Sequence, residues 1–266
     1  MPNNRFSLFP DSPTMRQVFS LRSLRYRWRN NEPVVTSAII LVCVIVWIVE
    51  LVLNFVAPTA LARMLQFGAI QPYRALSAPW TFVTSMFIHA PTSVFHILFN
   101  MLTLWCVGPF LERLMGHWPY LMLYVVAGIG GGVGMELWAA FGGDPTNWLT
   151  FSYGASGALF GLFAAVLVVY RKAGADMRSM LVWMAINFLM PLVVPNIAWQ
   201  AHVGGFVFGG LLTLLITDGP RALRGRSTLT RTAIYSGVFL AFGIVIVLIC
   251  NQYNVYALYN PYHLFF

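Results

Sequence analysis

The sequence predicts an all-α polytopic membrane protein. Three observations carry this. Of the 266 residues, 59% are hydrophobic and only 9% charged, with a mean hydropathy of +0.72, whereas soluble domains carry about 25% charged residues. Apolar runs near the length needed to cross a bilayer recur along the chain. Those runs and their short connections use nearly all of the chain after residue 33, which leaves no room for a long soluble domain.

The elements follow in order. Residues 1–33 form a polar, basic tail with arginines at 5, 16, 22, 25, 27 and 29. It lacks the apolar stretch of a cleavable signal peptide. It reads as a flexible cytoplasmic segment, with a short interfacial helix expected around Met15–Trp28. Spans are expected at 34–56, 94–111, 118–140, 155–171, 180–195, 198–217 and 233–251. Between the first two, residues 57–93 make a long loop with Pro58, Gly68, Pro72, Pro79 and Pro91. Its aromatic content (Phe67, Tyr73, Trp80, Phe82, Phe87) is too high for a solvated linker, so it is expected to fold against or into the outer leaflet. The stretch 252–266 carries no charge.

Basic residues orient these spans. With the N-terminus inside, the tail arginines, Arg113, Arg171, Lys172, Arg178, Arg221, Arg224, Arg226 and Arg231 all fall inside, and only Arg63 and Arg74 fall outside. That bias predicts a cytoplasmic N-terminus and an external C-terminus. It also accounts for the formal charge of +8 without nucleic acid, for which no aromatic-basic module is present. Cys43, Cys106 and Cys250 lie in apolar runs with no CxxC pair. They read as buried thiols rather than as a disulfide scaffold or metal site.

This topology brings polar residues from separate spans to one depth. Ser156, His202, and the pair His96 and Asn100 each stand near the outer start of a span, roughly 5–10 Å deep at 1.5 Å per helical residue. A serine needs a base to become a nucleophile, and histidine suits that task near neutral pH. The oxyanion formed on a carbonyl needs preset donors. A serine in a first helical turn has unsatisfied backbone N–H groups beside it. His96 and Asn100, at i and i+4, share a helix face. Gly157 with Gly161, and Gly205 with Gly209, make two GxxxG pairs that let helix axes approach closely in lipid. Such a pair of helices would bring the Ser156 hydroxyl to the His202 ring. Glu50 and Glu136 also fall within spans. Either is a relay carboxylate or a structural group bonded to a neighbouring helix. No third acid stands at the depth of Ser156, which fits a dyad. His89, beside Ala90-Pro91, is read as closing the outer loop; His117 is cytoplasmic and His263 lies in the tail.

At these residues the sequence resembles the rhomboid family of intramembrane serine proteases. The matching pieces are His96-Ile97-Leu98-Phe99-Asn100, Gly154-Ala155-Ser156-Gly157, and Ala201-His202-Val203-Gly204-Gly205-Phe206-Val207-Phe208-Gly209, with Glu112-Arg113 and Gly116 after the second span. The resemblance covers about residues 34–217. It implies a six-helix core with an appended seventh helix, a Ser156–His202 dyad, and neither metal nor other cofactor. It also implies an oxyanion site from His96, Asn100 and the Ser156 N–H, with Gly154 shaping the turn before the nucleophile. The domain reading is then a tail (1–33), a catalytic core (34–217), and a basic loop, seventh helix and short external tail (218–266). Two positions depart from the family pattern. The Trp-Arg pair common in the outer loop is Trp80-Thr81 here, and a tyrosine one turn after the nucleophile is Phe160.

The expected function is an intramembrane serine endopeptidase in a bacterial plasma membrane, acting on transmembrane protein substrates within the lipid bilayer near the outer leaflet. The span with Trp183, Phe188 and Pro191 would be a lateral gate, and water would enter between spans two, four and six. A catalytically silent binder of transmembrane segments would use the same fold, but would lose the nucleophile or the base, and both are present. A solute transporter would show matched repeats and broken helices, and none is evident.

Overall fold

The computed structural model describes residues 20–176, 178–193 and 197–257. Eleven α-helices lie among them. They are α1 (Leu21–Arg29), α2 (Val34–Val56), α3 (Pro58–Gly68), α4 (Thr81–Thr84), α5 (Val94–Met115), α6 (His117–Phe141), α7 (Ser156–Ala173), α8 (Arg178–Val193), α9 (Trp199–Asp218), α10 (Arg221–Arg224) and α11 (Thr228–Asn251). No strand occurs among the described residues; a single isolated bridge pairs Ile70 with Ser152.

Six helices (α2, α5, α6, α7, α9 and α11) are long and apolar enough to cross a membrane, so the chain is an all-α polytopic membrane protein. The segment expected to span at 180–195 appears as the 16 residues of α8. That is about 24 Å at 1.5 Å per residue, short of a hydrocarbon core of about 30 Å; residues 194–196 lie outside the described ones. Of the interfacial helix expected around Met15–Trp28, the described part is α1 from Leu21, with Ser20 as its N-cap; residues 1–19 and 258–266, with His263, lie outside the described residues. α5 and α11 each run about a turn further at the expected cytoplasmic end than the apolar pattern indicates.

The centre is α6, α7 and α9, and small residues explain why. Lipid gives helices no hydrophobic reason to associate, so close backbone approach and packing must hold them. α7 and α9 run parallel: a methyl group placed on Gly205 would fall on the Gly157 carbonyl, and one on Gly209 would meet Gly161. α6 runs antiparallel to both, with Gly131 against Gly157 and Ala201, and Gly134 against Gly204. Around this centre, α2, α5 and α11 turn exposed apolar side chains outward, such as Ile45, Val52, Trp105, Phe242 and Ile244. Cys43 and Cys250 are buried as expected, but Cys106 is exposed, because its position on α5 faces away from the bundle.

A buried carboxylate organises the end expected to be cytoplasmic. The first turn of a helix has N–H groups with no partner in the helix. For α2 they go to Glu112, which accepts from Val35 N and Thr36 N, both at 2.8 Å, and from Thr36 Oγ1 at 2.7 Å. His117 Nδ1 lies 2.6 Å from the same carboxylate, and its Nε2 lies 2.9 Å from the Trp28 carbonyl. The Trp28 ring packs on His117 at 4.0 Å, so this cluster also holds α1. Gly116, with φ +88°, is the single residue between α5 and α6; a backbone in that region favours glycine.

Candidate active site

Three helices start at one end of the bundle and deliver the polar groups. Ser156 is the first residue of α7, His96 the third of α5 and His202 the fourth of α9. The parallel, glycine-paired packing of α7 and α9 sets Ser156 Oγ 3.0 Å from His202 Nε2. His202 is 5% exposed, and its Nδ1 has no hydrogen-bond partner among the described residues. One face of its ring is covered by Phe160, nearly parallel at 13° with centroids 4.1 Å apart. Phe160 is in turn backed by Phe188 of α8 at 4.4 Å.

Gly154 makes the turn ahead of Ser156. Its φ of +131° lies where L side chains are rarely found. A carbon placed on it would also stand 2.8 Å from His96 Nε2 and 3.9 Å from Ser156 Oγ. That nitrogen therefore borders the space directly in front of the serine. Gly154 N donates to the Ser85 carbonyl at 2.9 Å, which fixes the turn to the outer loop.

Asn100 is on the expected face and buried, but its side chain is turned partly back. Its Nδ2 donates to the His96 carbonyl at 2.7 Å, and its Oδ1 has no partner among the described residues. One of its two amide hydrogens is thus used within α5, which leaves a second.

The outer loop is held by side chains that pattern reading did not single out. Arg74 was visible only as an outside charge. It is buried, and its guanidinium donates to the Gln66 carbonyl and, at 3.3 Å, to that of Ala69. It thus supplies an arginine contact in a loop where Trp80 is followed by threonine. Trp80 Nε1 donates to the Phe67 carbonyl at 2.9 Å. Glu50, left open between relay and structural roles, is buried and accepts from the backbone N–H of His89 at 3.1 Å. Trp47 Nε1 donates to the Ala90 carbonyl at 3.2 Å. His89 does help to close the loop, with Nδ1 3.3 Å from the Phe87 carbonyl. Burial, and then the neighbouring His96, hold its imidazole down at about 3. Glu136 is buried with neither oxygen partnered among the described residues, and it does not join the site. The side chains of Trp183 and Pro191 lie outside the described ones.

A cavity of about 390 Å³ lies between α6 and α9, lined among others by Gly134, Trp138, Trp199, Val203 and Gly204. Gln200, Gly204 and Val207, which also line it, lie on the side of α9 turned away from His202, so this space is separate from the polar entry expected beside the serine.

Comparison with known proteins identifies relatives of this chain. A family model described as the Rhomboid domain matches residues 77–219. The chain is 32% identical over 172 residues to "Rhomboid-type serine protease 2" of Emericella nidulans, covering 62% of this chain and 32% of that protein. It is 33% identical over 141 residues to "Putative rhomboid protease YdcA" of Bacillus subtilis, covering 51% of this chain and 66% of that protein. It is 24% identical over 229 residues to "Rhomboid protease AarA" of Providencia stuartii, covering 77% and 80%. The chain thus spans about a third of the length of the fungal relative and most of that of AarA.

Proposed function

The chain belongs to the rhomboid family, and on that premise we propose that it is an intramembrane serine endopeptidase with Ser156 as nucleophile and His202 as general base. The observation that carries this is the 3.0 Å approach of Ser156 Oγ to His202 Nε2 at the shared end of α7 and α9.

In this reading His202 Nε2 takes the hydroxyl proton as Oγ attacks a peptide carbonyl. The oxyanion receives donors from His96 Nε2–H, the free amide hydrogen of Asn100 and the first-turn N–H of Ser156. Collapse breaks the C–N bond, and the leaving amine takes the proton from His202. Water then repeats the sequence on the acyl-enzyme and returns the free serine. His202 Nδ1 has no partner among the described residues, which supports a dyad rather than a triad, because a triad carboxylate would stand against that nitrogen. Phe160 takes over the task of holding the ring.

Substrates are transmembrane segments that unwind near the outer leaflet, where small or helix-breaking residues expose a carbonyl. Residues 34–217 act as the catalytic core, residues 1–33 as a cytoplasmic tail, and residues after 217 as an appended helix with its connections. α8, with Phe188, is the gate through which a substrate enters from the side, and water comes from the outer face. In this reading the chain sits in a bacterial plasma membrane with its N-terminus cytoplasmic and its C-terminus external, an orientation that the basic-residue bias supports.

Purified protein in liposomes is expected to cleave a model transmembrane substrate. Ser156→Ala and His202→Ala should each abolish cleavage while the thermal unfolding midpoint is kept. Cleavage that survives Ser156→Ala overturns the mechanism. The dyad supplies both nucleophile and base, so a chelator such as EDTA should leave the rate unchanged.

A further inference from the structure

The orientation of His96 depends on a backbone group outside its own helix. Its Nδ1 accepts the Ala90 N–H at 3.2 Å. A ring nitrogen that accepts carries no proton, so the neutral imidazole holds its hydrogen on Nε2. Nε2 is the atom that borders Gly154 in front of Ser156. A donor therefore faces the serine only while Ala90 N–H stays where it is.

Two side chains of α2 hold the peptide groups on either side of that N–H. Glu50 Oε2 accepts the His89 N–H at 3.1 Å, and Trp47 Nε1 donates to the Ala90 carbonyl at 3.2 Å. The two are three residues apart and so share a helix face. Glu50 is fully buried. It accepts from a backbone N–H rather than bridging two imidazoles, which fits an anchor better than a proton relay. Apart from these, the turn is closed locally by Ser93 N donating to the Ala90 carbonyl and by the His89 ring beside Phe87.

We propose that Glu50 and Trp47 are positioning residues that clamp the backbone on either side of the His89–Ala90 peptide, and thereby hold His96 in the Nε2–H tautomer with its donor aimed at the oxyanion. This rests on the protease reading for its catalytic consequence, but not for the tautomer itself.

The experiment has two arms. The first uses Ser156→Ala protein labelled with 15N-histidine in micelles and reads the His96 tautomer by NMR, with no need for activity. The Nε2–H form is expected alone. Adding Glu50→Gln should keep it, because the amide oxygen still accepts the His89 N–H. Glu50→Leu should bring in the Nδ1–H form. The second arm measures cleavage of a transmembrane peptide. Glu50→Leu should lower kcat about tenfold, a fraction of what loss of a whole oxyanion donor costs, with KM within about twofold and Glu50→Gln restoring the rate. In a His96→Ala background, Glu50→Leu should add almost nothing, since it acts through a ring no longer there. Should Glu50→Leu not fold, Trp47→Phe removes the other clamp while keeping the aromatic bulk, and the same readouts apply. An unchanged tautomer, or an equal loss of kcat with and without His96, overturns the proposal. Loss of the tautomer preference in protein that shows no Ser156-dependent cleavage keeps the clamp and removes the protease reading.

Discussion

The imidazole of His202 and the ring of Phe160 lie face to face, 4.1 Å apart and 13° from parallel, so the proposed base is held by an aromatic plane, with no acid bonded to it among the described residues. Stacked pairs are worth about 0.5–1.5 kcal/mol beyond area burial. Phe160→Leu keeps an apolar side chain but loses the plane, and should lower kcat by about two- to tenfold. Phe160→Tyr keeps the plane and should retain most of the rate. Steady-state cleavage in liposomes reads both.

Gly205 has no room for a side chain. A methyl there would fall on the Gly157 carbonyl and stand 3.2 Å from that of Ala127. Gly205→Ala must push α9 off α7, and with it His202 off Ser156. A misplacement of about 1 Å can cost about 100-fold in rate, and a loss of at least that size is expected. Outside its own helix backbone, Gly237 on α11 has nothing among the described residues within 4 Å of the same position. Gly237→Ala should be neutral in rate and stabilising by up to about 1 kcal/mol, read by thermal unfolding beside the cleavage assay.

Arg74 bonds two carbonyls from a buried position. Arg74→Ala strands those acceptors, and charged hydrogen bonds of this kind contribute about 1.5–3 kcal/mol. The loss should be local. Hydrogen exchange across residues 57–93 should speed up while the backbone of α6, α7 and α9 keeps its protection. Uniform loss of protection across the bundle would contradict this.

His89 gives stability a pH dependence. Its imidazole is held at about 3 by burial and then by His96, below the ordinary value of about 6.5. Between those values the unfolded chain binds a proton that the folded chain refuses, so stability rises with pH across that interval and falls as acid is added. Unfolding midpoints measured from pH 7.5 down to 4.5 should drop. The drop should be smaller in His89→Leu, which has no proton to gain at that position.

The parts legible in the sequence are those whose cause is local or periodic. Apolar runs gave the spans, and the spacing within 157–161 and 205–209 gave the face on which α7 and α9 meet. That pairing is enough to bring Ser156 and His202 together. What pattern reading missed are side chains that bond to backbone in turns. Arg74 reaches the end of α3, Glu50 the N–H of His89 and Trp47 the carbonyl of Ala90. Nothing in the residue types says where those turns lie relative to α2. Spacing puts Asn100 on the His96 face of α5, but its bond to the His96 carbonyl is a short-range competition that spacing does not reveal.

Asn254, just past α11, donates to the Tyr73 carbonyl at 2.8 Å, and Tyr253 packs on Phe141 at 5.2 Å. During synthesis the loop leaves the ribosome more than a hundred residues before the asparagine that latches it. The nascent loop must therefore wait, unlatched, until the final helix has been threaded into the bilayer. A chain stopped at residue 227 could assemble α5, α7 and α9, yet its outer loop would be left as the part a protease reaches first.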